Sequence, residues 1–446
     1  MADRAVAVAA CTRKAAPWPA GIAPTREYEA AYAFLKDGAG HLFVTGRAGT
    51  GKSTLLTCLR ELLPDELVVL APTGLAAINV GGQTIHSFFG FPPRLIRPGD
   101  IRRSRHGRLM RRLKFLVIDE VSMVRSDLMW AIDQALRINR GRPRQAFGGV
   151  RLALFGDLHQ LPPVVNEADL AQHLESDYGG PFFFSVSSLG EGAGTSLIEL
   201  TEVFRQKDAA LLEVLNRIRE GDADAGDLAL LNARVHPIRN LSEGEPYVIL
   251  TPTNAAASRI NMAFLNALPG APGTYQAATT GEFSQSAQPT EATLVLKVGA
   301  KVMLLRNDPD RRWVNGTIAR VSRLAEERVW IEVGGGEHEV EQATWESRRY
   351  AHDQAAEKIV ETIAGTFRQF PLRLAWALTI HKSQGLTLDK VYIDLGRGTF
   401  AHGQAYVALS RCRTLDGLAL ARPLRPADIL FDQAATGYRR AFAALG

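Results

Sequence analysis

Four short runs of apolar residues in the first two hundred positions are each followed by a glycine-rich or polar turn. They are His41–Thr45, Leu67–Ala71, Phe115–Ile118 and Val150–Phe155. Short runs rich in β-branched or aromatic residues, alternating with amphipathic segments, are typical of buried parallel strands joined by helices. The pattern predicts an α/β unit over about residues 25–195.

A second α/β unit is predicted to begin near Ser196 and to be interrupted by an insertion. Its strand candidates are Tyr247–Leu250 and Lys390–Asp394. Between about 262 and 370, apolar and polar residues alternate in segments separated by glycine and charged turns: Leu294–Leu305, Asn315–Val321, Arg328–Val333 and Glu337–Val340. This alternation predicts a small antiparallel barrel or sheet. The second unit would then comprise residues 196–261 and 371–446.

The composition excludes some classes of protein. The 446 residues carry a net charge of +5, which suits a polyanionic partner without requiring one. Cys11, Cys58 and Cys412 are far apart and form no CxxC pair, so neither a disulfide framework nor a structural zinc site is indicated. No stretch approaches the ~18 apolar residues of a membrane span. We expect a soluble, cytoplasmic protein whose Ala/Pro-rich residues 1–24 form a disordered leader.

Residues 46–53 read GRAGTGKS and fit the pattern GxxxxGK[ST], between the strand His41–Thr45 and a helix predicted at Thr54–Leu63. Such a loop lets backbone N–H groups surround phosphate oxygens at a helix N-terminus. Lys52 would reach the terminal phosphates, and the Ser53 hydroxyl would bind Mg²⁺. The motif predicts a nucleoside triphosphate site made of Gly46, Ala48, Gly49, Thr50, Gly51, Lys52, Ser53 and Thr54.

Two later strands end in polar residues that would complete this site. Asp119 follows Phe115–Ile118 and can hold Mg²⁺ directly or through water, and Glu120 can orient and deprotonate the attacking water. Gln160, in the sequence GDLHQLPP after the next strand, can sense the γ-phosphate or its water. Taken alone, an acidic pair also suits a helix N-terminus, and Gln160 could simply satisfy a loop. The preceding phosphate loop favours the catalytic interpretation.

Seven ordered motifs resemble those of superfamily-one helicases of the petite-integration-frequency (PIF-type) family and their RecD-like relatives. They are APTGLAA (71–77), GGQTIHSFF (81–89), DEVSM (119–123), GDLHQLPPV (156–164), FRQ (204–206), TIHKSQG (379–385) and YVALSR (406–411). The resemblance covers about residues 25–425.

The resemblance implies two RecA-like lobes, each a parallel sheet flanked by helices, with ATP between them and an SH3-like all-β insertion in the second lobe. It also implies that Arg205 and Arg411 of the second lobe reach across the cleft and stabilise charge on the transferring phosphoryl group. Gln384 and Gly385 would link the bound DNA strand to the γ-phosphate. For either arginine, an ion pair at the surface or between the lobes is the alternative.

By the same resemblance, single-stranded DNA lies along Thr73 and Asn79 of the first lobe and His381 and Ser383 of the second. His86 and Phe88 would lie nearby. Short polar side chains suit phosphates, and rings offer stacking faces for bases. Packing in the core is the open alternative for His86 and Phe88.

Three further features are interpreted through the resemblance. The arginine-rich segment Arg94–Arg112 lies in a region, about 90–112, that would form a strand-separating protrusion, although a solvated loop explains it equally well. Trp313, beside an Asn315-Gly316 turn, either meets DNA or fills the small barrel. The family's adenine-reading glutamine is missing upstream of the phosphate loop. Glu29 stands near its expected place and could accept a hydrogen bond from the adenine amino group.

We therefore expect a monomeric, Mg·ATP-dependent 5′-to-3′ DNA helicase that acts on single-stranded and forked DNA. Folded DNA such as a G-quadruplex is a further expected substrate, and DNA repair, recombination and telomere maintenance are the roles the resemblance suggests. The polarity rests on the resemblance alone. The alternatives are a translocase that removes proteins or resolves folded DNA without unwinding duplex, an RNA helicase, and a catalytically dead DNA-binding scaffold.

Overall fold

The computed structural model describes residues 18–64, 67–104, 107–165, 167–189, 194–202, 208–236, 247–353 and 358–443, with side chains up to residue 438. Strands are numbered β1–β20 and helices α1–α12 in chain order. Within these ranges, no helix is long and apolar enough to cross a membrane.

The first unit is a parallel sheet of six strands in the order β3-β2-β4-β5-β1-β6, counted over the described residues. The four strands that the sequence predicts for this unit are present as β1, β2, β4 and β5. The sheet is formed by β1 His41–Gly46, β2 Leu67–Ala71, β3 Gln83–Thr84, β4 Phe115–Ile118, β5 Arg151–Phe155 and β6 Thr195–Leu200.

Helices cover both faces of this sheet, and β1, β2 and β4 are therefore buried along their whole length. Leu55 and Leu59 pack on one face, and Met129 and Ile132 pack on the other. The helices of the unit are α1 Arg26–Asp37, α2 Lys52–Leu62, α3 Gly74–Asn79, α4 Ile85–Phe89, α5 Gly107–Arg112, α6 Ser126–Arg140 and α7 Ala168–Tyr178.

The second unit is a smaller parallel sheet in the order β18-β7-β19-β20. It packs its own apolar core, in which Leu215 and Ile218 meet Val248 and Leu250. Its elements are α8 Ala209–Glu220, α9 Ala225–Asn232, β7 Val248–Thr251, α10 Asn254–Ala267, β18 Ala377–Thr379, β19 Val391–Ile393, α11 Gln404–Leu409 and β20 Leu418–Leu420; α12 Gln433–Ala443 follows them in the chain. The two parallel sheets confirm the expected α/β class.

Antiparallel strands between β7 and β18 form the insertion. Five of them make the sheet β14-β13-β12-β11-β17, and the others form the pair β10-β8 and the three-stranded sheet β15-β16-β9. They are β8 Gly273–Gln276, β9 Ala278–Gly281, β10 Thr293–Leu296, β11 Lys301–Leu304, β12 Ile318–Leu324, β13 Val329–Val333, β14 Gly336–Val340, β15 Ala343–Asp353, β16 Lys358–Gln369 and β17 Leu372–Leu374.

Three details of the insertion differ from the sequence expectation or decide between alternatives. The predicted strand Leu294–Leu305 is two strands, because the chain turns between β10 and β11 at Gly299, whose φ is +85°. The long hairpin β15–β16 was not anticipated. Trp313 is buried in the core of the insertion, so it fills the small barrel.

Three elements lie in a different part of the fold from the one that the sequence predicted for them. β6, placed by the sequence at the start of the second unit, pairs along its length with β1 of the first. β17, expected after the insertion, pairs with β11 inside it. Helix α12 also leaves its expected unit, since Tyr438 stacks on Phe184 of the first, with ring centroids 4.2 Å apart.

Two other segments pack against the first unit more than the sequence predicted. Trp18, within the predicted disordered leader, contacts the rings of Tyr28 and Tyr32; residues 1–17 lie outside the described ranges. In the predicted basic protrusion, Leu109 and Met110 are buried in the core of the first unit. The described arginines of the segment are exposed, both in its earlier part, where Arg94 pairs with Asp100, and on α5, at Arg108, Arg111 and Arg112.

Candidate nucleotide-binding cleft

The phosphate loop is shaped by glycine conformations at its entrance and exit. Gly46, Gly49 and Gly51 have φ values of +155°, +85° and +85°, which side-chain-bearing residues rarely adopt. At Gly46 a Cβ atom would lie 2.8 Å from the Leu200 carbonyl oxygen. Helix α2 then begins at Lys52, two residues earlier than expected, so its N-terminus and backbone N–H groups face the loop.

Lys52 lies across this loop. Its Nζ donates hydrogen bonds to the carbonyl oxygens of Gly46, at 2.6 Å, and Arg47, at 3.0 Å. The ammonium group is therefore positioned at the mouth of the loop, where the terminal phosphates of a nucleotide would lie.

Asp119 and Glu120 stand at the end of β4, as expected. Burial, followed by the neighbouring Glu120 carboxylate, raises the pKa of Asp119 to about 7. Burial also raises the pKa of Glu120, although Lys52 and Arg411 oppose this shift. Glu120 has a left-handed backbone with φ 49° and ψ 42°, a conformation that costs energy in a non-glycine residue and often marks a functional site.

A cavity of about 590 Å³ lies between the two units and is lined by residues of both. The first unit contributes the phosphate loop, Glu120 and Gln160, and the second contributes Gly385, Thr387 and Arg411. The geometry thus brings together residues more than 350 positions apart in the chain.

A hydrogen-bond network crosses this cleft. Gln384 Nε2 donates to Glu120 Oε2 at 2.9 Å and to Gln160 Oε1 at 3.3 Å. Gln160 Nε2 in turn donates to Asp157 Oδ2 at 3.1 Å. The predicted water-activating carboxylate and the predicted γ-phosphate sensor are therefore both in contact with the second unit.

Arg411 is buried at the cavity wall. Its Nε donates to the Val407 carbonyl at 2.9 Å, and its Nη2 donates to Ser410 Oγ at 2.8 Å. These contacts fix the guanidinium on the second unit with its charge close enough to lower the pKa of Glu120. The other predicted arginine, Arg205, lies outside the described residues.

The residues expected to hold Mg²⁺ have suitable chemistry. The Ser53 hydroxyl is exposed in the first turn of α2, and Asp119 supplies a carboxylate; Mg²⁺ prefers such oxygen ligands. The raised pKa of Asp119 also fits, since a divalent cation would stabilise its charged form. Bound there, the ion would supply charge neutralisation for the phosphates.

The structure corrects the prediction for the residue near the base. Glu29 is exposed on α1 and does not line the cavity. Tyr28 lines it instead, and its hydroxyl donates to the Gly51 carbonyl at 2.8 Å. Thr25 caps α1 by accepting a hydrogen bond from the Tyr28 N–H at 3.3 Å. This cap fixes the first turn of α1, which carries Tyr28.

The predicted DNA contacts separate into exposed and buried residues. Thr73 and Asn79 are exposed at the two ends of α3, and His86 and His381 are partly exposed. Phe88 is 4% exposed in the core of the first unit, and Ser383 is fully buried with its Oγ donating to the Ile380 carbonyl. Phe88 and Ser383 are therefore packing and loop-shaping residues in this structure, contrary to the expectation of direct DNA contact.

Sequence reasoning missed several residues that shape the cleft. Tyr406 lies within the YVALSR motif, and its Oη accepts a hydrogen bond from the phosphate-loop N–H of Ala48 at 3.3 Å. Arg219 of α8 contacts Asp157. The motif spacing could have indicated Tyr406, but nothing in the sequence around Arg219 distinguishes it from an exposed helix arginine.

Comparison with protein families matches two parts of the chain. Residues 27–225 match the PIF1-like helicase model, and residues 284–324 match the 2B domain of DNA helicase Pif1. The ATP-dependent DNA helicase Pif1 of Bdellovibrio bacteriovorus is 34% identical over 422 residues, covering 90% of each chain. The chain belongs to the PIF1-like helicase family. Fungal and vertebrate PIF1 relatives are longer, and the chain spans 52% to 58% of their length.

Solved PIF1-like structures share this fold. Bacteroides sp Pif1 in complex with ADP-AlF4 matches with a TM-score of 0.88 at 36% identity, over 95% of this chain and 98% of that one. Bacteroides Pif1 bound to ssDNA matches with a TM-score of 0.67 at the same identity and coverage. Because identity and coverage are equal, the lower score reflects a different arrangement of the parts of the chain.

Proposed function

We propose that this chain is an ATP-dependent DNA helicase that moves 5′ to 3′ along single-stranded DNA and unwinds duplex. The observation that carries the proposal is the cleft between the two units, in which Gln384 of the second contacts both Glu120 and Gln160 of the first. Membership of the PIF1-like family supports the same activity, since its curated relatives are ATP-dependent DNA helicases.

We call the first and second α/β units the first and second lobes. In the proposed reaction, the first lobe binds the nucleotide and activates water. The loop glycines and the start of α2 hold the phosphates, and Lys52 neutralises their charge. Ser53 and Asp119 hold Mg²⁺. Glu120 orients the attacking water and accepts its proton, while Gln160 contacts the water or the γ-phosphate.

The second lobe makes hydrolysis depend on closure of the cleft. Arg411 approaches the phosphoryl group only when the lobes are close, and we propose the same role for Arg205. Gln384 and Gly385 belong to the same loop as His381, which we propose contacts DNA together with Thr73, Asn79 and His86. Opening and closing of the cleft would then move the two DNA-contacting regions relative to each other.

We further propose that the chain acts as a monomer and also resolves folded DNA such as a G-quadruplex. Both lobes of the chain line the nucleotide cavity, which supports a site formed within a single copy. The preference for folded DNA and the 5′-to-3′ polarity follow the family resemblance of the motifs.

The test is ATP hydrolysis measured with and without single-stranded DNA, together with unwinding of forked duplexes that bear only a 5′ or only a 3′ tail. We expect strong stimulation by DNA and unwinding of the 5′-tailed substrate alone. Stimulation without unwinding of either substrate would favour a translocase. Hydrolysis that ignores DNA, or unwinding that requires the 3′ tail, would refute the proposal.

A further inference from the structure

The loop that carries Gln160 is attached to the second lobe, although it continues β5 of the first. Leu161 is fully buried in the core of the second lobe, among residues such as Leu215 and Tyr406. The His402 ring Nε2 lies 2.9 Å from the Leu158 carbonyl oxygen. A Cβ atom on Gly403 would lie 2.3 Å from the Gln160 carbonyl oxygen, so the two backbones are in close contact.

A buried ion pair adds a charged link at the start of this loop. Arg219, on α8 of the second lobe, places Nη2 3.3 Å from Asp157 Oδ1, and both side chains are fully buried. Arg219 Nη1 also lies 3.4 Å from Glu199 Oε1 on β6 of the first lobe. One arginine of the second lobe thus contacts two carboxylates of the first.

Asp157 contacts Gln160 as well as Arg219. One carboxylate oxygen, Oδ1, faces Arg219 and accepts from the His159 N–H at 3.2 Å, while Oδ2 accepts from Gln160 Nε2 at 3.1 Å. Because the Gln160 amide nitrogen is bonded to Asp157, its Oε1 faces Gln384. Gln384 donates both to this oxygen and to Glu120. The chain of contacts runs from Arg219 to the predicted water-activating carboxylate.

Because the Arg219–Asp157 pair is buried, separating the two lobes would be energetically costly for it. Burial alone raises the pKa of Asp157, but the charges of Arg219 and Lys52 outweigh it and hold that pKa below its usual range. A buried carboxylate without its partner is strongly unfavourable. Any movement of α8 away from β5 would therefore disturb Asp157 and, through it, the orientation of Gln160.

We propose that Arg219 is a positioning residue for ATP hydrolysis, which couples closure of the second lobe to the orientation of Gln160 through Asp157. This inference rests on the ATP-hydrolysing function proposed above and adds a residue that does not line the nucleotide cavity. Arg219 and Asp157 act as one unit, so neutralising both should break the coupling without leaving a buried charge unpaired.

The experiment compares Arg219→Gln, Asp157→Asn and the double variant R219Q/D157N with the unaltered chain. Each protein is assayed for kcat and KM of DNA-stimulated ATP hydrolysis, for base pairs unwound per ATP, and for Tm. We expect the double variant to keep a Tm near that of the unaltered chain and a KM within about threefold, while its kcat falls by tenfold or more. Arg219→Lys, which keeps the charge, should recover part of the lost kcat.

A control is the double variant R422Q/D428N, which removes another charged contact of the second lobe, with both nitrogen–oxygen distances at 2.7 Å. Arg425, which also contacts Asp428, is 58% exposed and would stay solvated. This control variant should leave kcat and unwinding per ATP unchanged. If R219Q/D157N keeps its full kcat, or loses activity only in proportion to its loss of Tm, the pair is structural and the inference is wrong. If the unaltered chain itself shows no DNA-stimulated hydrolysis, the proposed function fails instead.

Discussion

Glu120 combines a left-handed backbone with a half-buried carboxylate at the cavity wall beside Asp119. Both features cost folding free energy, and both are concentrated at the predicted catalytic centre. Strained backbone and raised carboxylate pKa values are typical of sites in which binding or catalysis repays the cost. At the scale of single residues, the cleft is therefore organised for chemistry at the expense of stability.

Replacing Glu120 by Gln should abolish most hydrolysis while leaving nucleotide binding intact. An amide cannot accept the proton of the attacking water, and general-base catalysis contributes roughly 10²–10⁴-fold to a rate. We expect kcat for DNA-stimulated hydrolysis to fall within that range, with binding of a fluorescent ATP analogue changed by less than about threefold. The exposed Glu326 offers a matched control, because Glu326→Gln should leave both quantities unaltered.

Replacing Asp119 by Asn should stabilise the nucleotide-free protein, and the gain should depend on pH. The folded-state pKa of Asp119, about 7, is above its ordinary value of 3.8. Between these values the folded state binds a proton that the unfolded state lacks, so this group makes stability fall as pH rises through that window. We expect the Asp119→Asn variant to have a higher Tm than the unaltered chain at pH 8, and the gain to disappear towards pH 4. An equal Tm for both proteins at pH 8 would contradict this account.

At the scale of elements, the long hairpin β15–β16 connects the insertion to the first lobe. The Val69 N–H of β2 donates to Tyr350 Oη at 3.1 Å, and the Tyr350 N–H donates to Gln83 Oε1 at 3.3 Å. Arg60 of α2 forms an ion pair with Glu361 of β16 at 2.7 Å. The hairpin is thus held by polar contacts, two of them buried at Tyr350, and by the burial of Tyr350 and Ile359 in the core of the first lobe.

Tyr350→Phe should therefore loosen this attachment. The change removes the acceptor for the buried Val69 N–H, and an unsatisfied buried group costs about 1–3 kcal/mol. We expect a loss of that size in the free energy of unfolding, measured by chemical denaturation. Tyr32→Phe is the control, since its hydroxyl meets the exposed Lys36 at 3.5 Å and its loss should cost little. Similar effects for both variants would show that the hairpin contact is not specific.

At the scale of the whole molecule, the cleft exists because the two lobes approach each other. Arg411 and Gln384 of the second lobe face Glu120 and Gln160 of the first, and Tyr406 reaches the phosphate loop at Ala48. The differing TM-scores against two Bacteroides Pif1 structures, 0.88 and 0.67 at equal identity and coverage, indicate that those two structures differ in conformation. Catalysis that needs both lobes would then be limited to the closed arrangement.

Arg411→Ala should remove the contribution of the second lobe to hydrolysis. A charge supplied across the cleft to a transferring phosphoryl group is worth ~10³–10⁵ in rate. We expect DNA-stimulated kcat to fall by about 10³-fold or more, with nucleotide binding by the first lobe retained. Arg413, two residues later, is 54% exposed and pairs with Asp389 at 3.3 Å. Arg413→Ala should keep nearly full activity, and equal losses for the two variants would contradict the assignment.

The local parts of the cleft could be predicted from sequence because each depends on neighbouring residues. The phosphate loop needs glycines at fixed spacing before a helix, and Asp119 needs only a buried strand to carry it to the sheet edge. The strands β1, β2, β4 and β5 were recognisable by their apolar runs for the same reason. In contrast, the exposure of Glu29 and the burial of Phe88 and Ser383 could not be predicted, because burial depends on what packs against a side chain.

The sequence by itself determined the α/β class, the phosphate loop and the residues that we propose for hydrolysis. Only the tertiary structure decided that β6 joins the first sheet, that Tyr28 lines the cavity instead of Glu29, and that Arg219 meets Asp157. These outcomes depend on pairings between residues far apart in the chain. Local patterns encode backbone conformation and chemistry, but a long-range contact is set by the balance of packing and charge over the whole folded molecule.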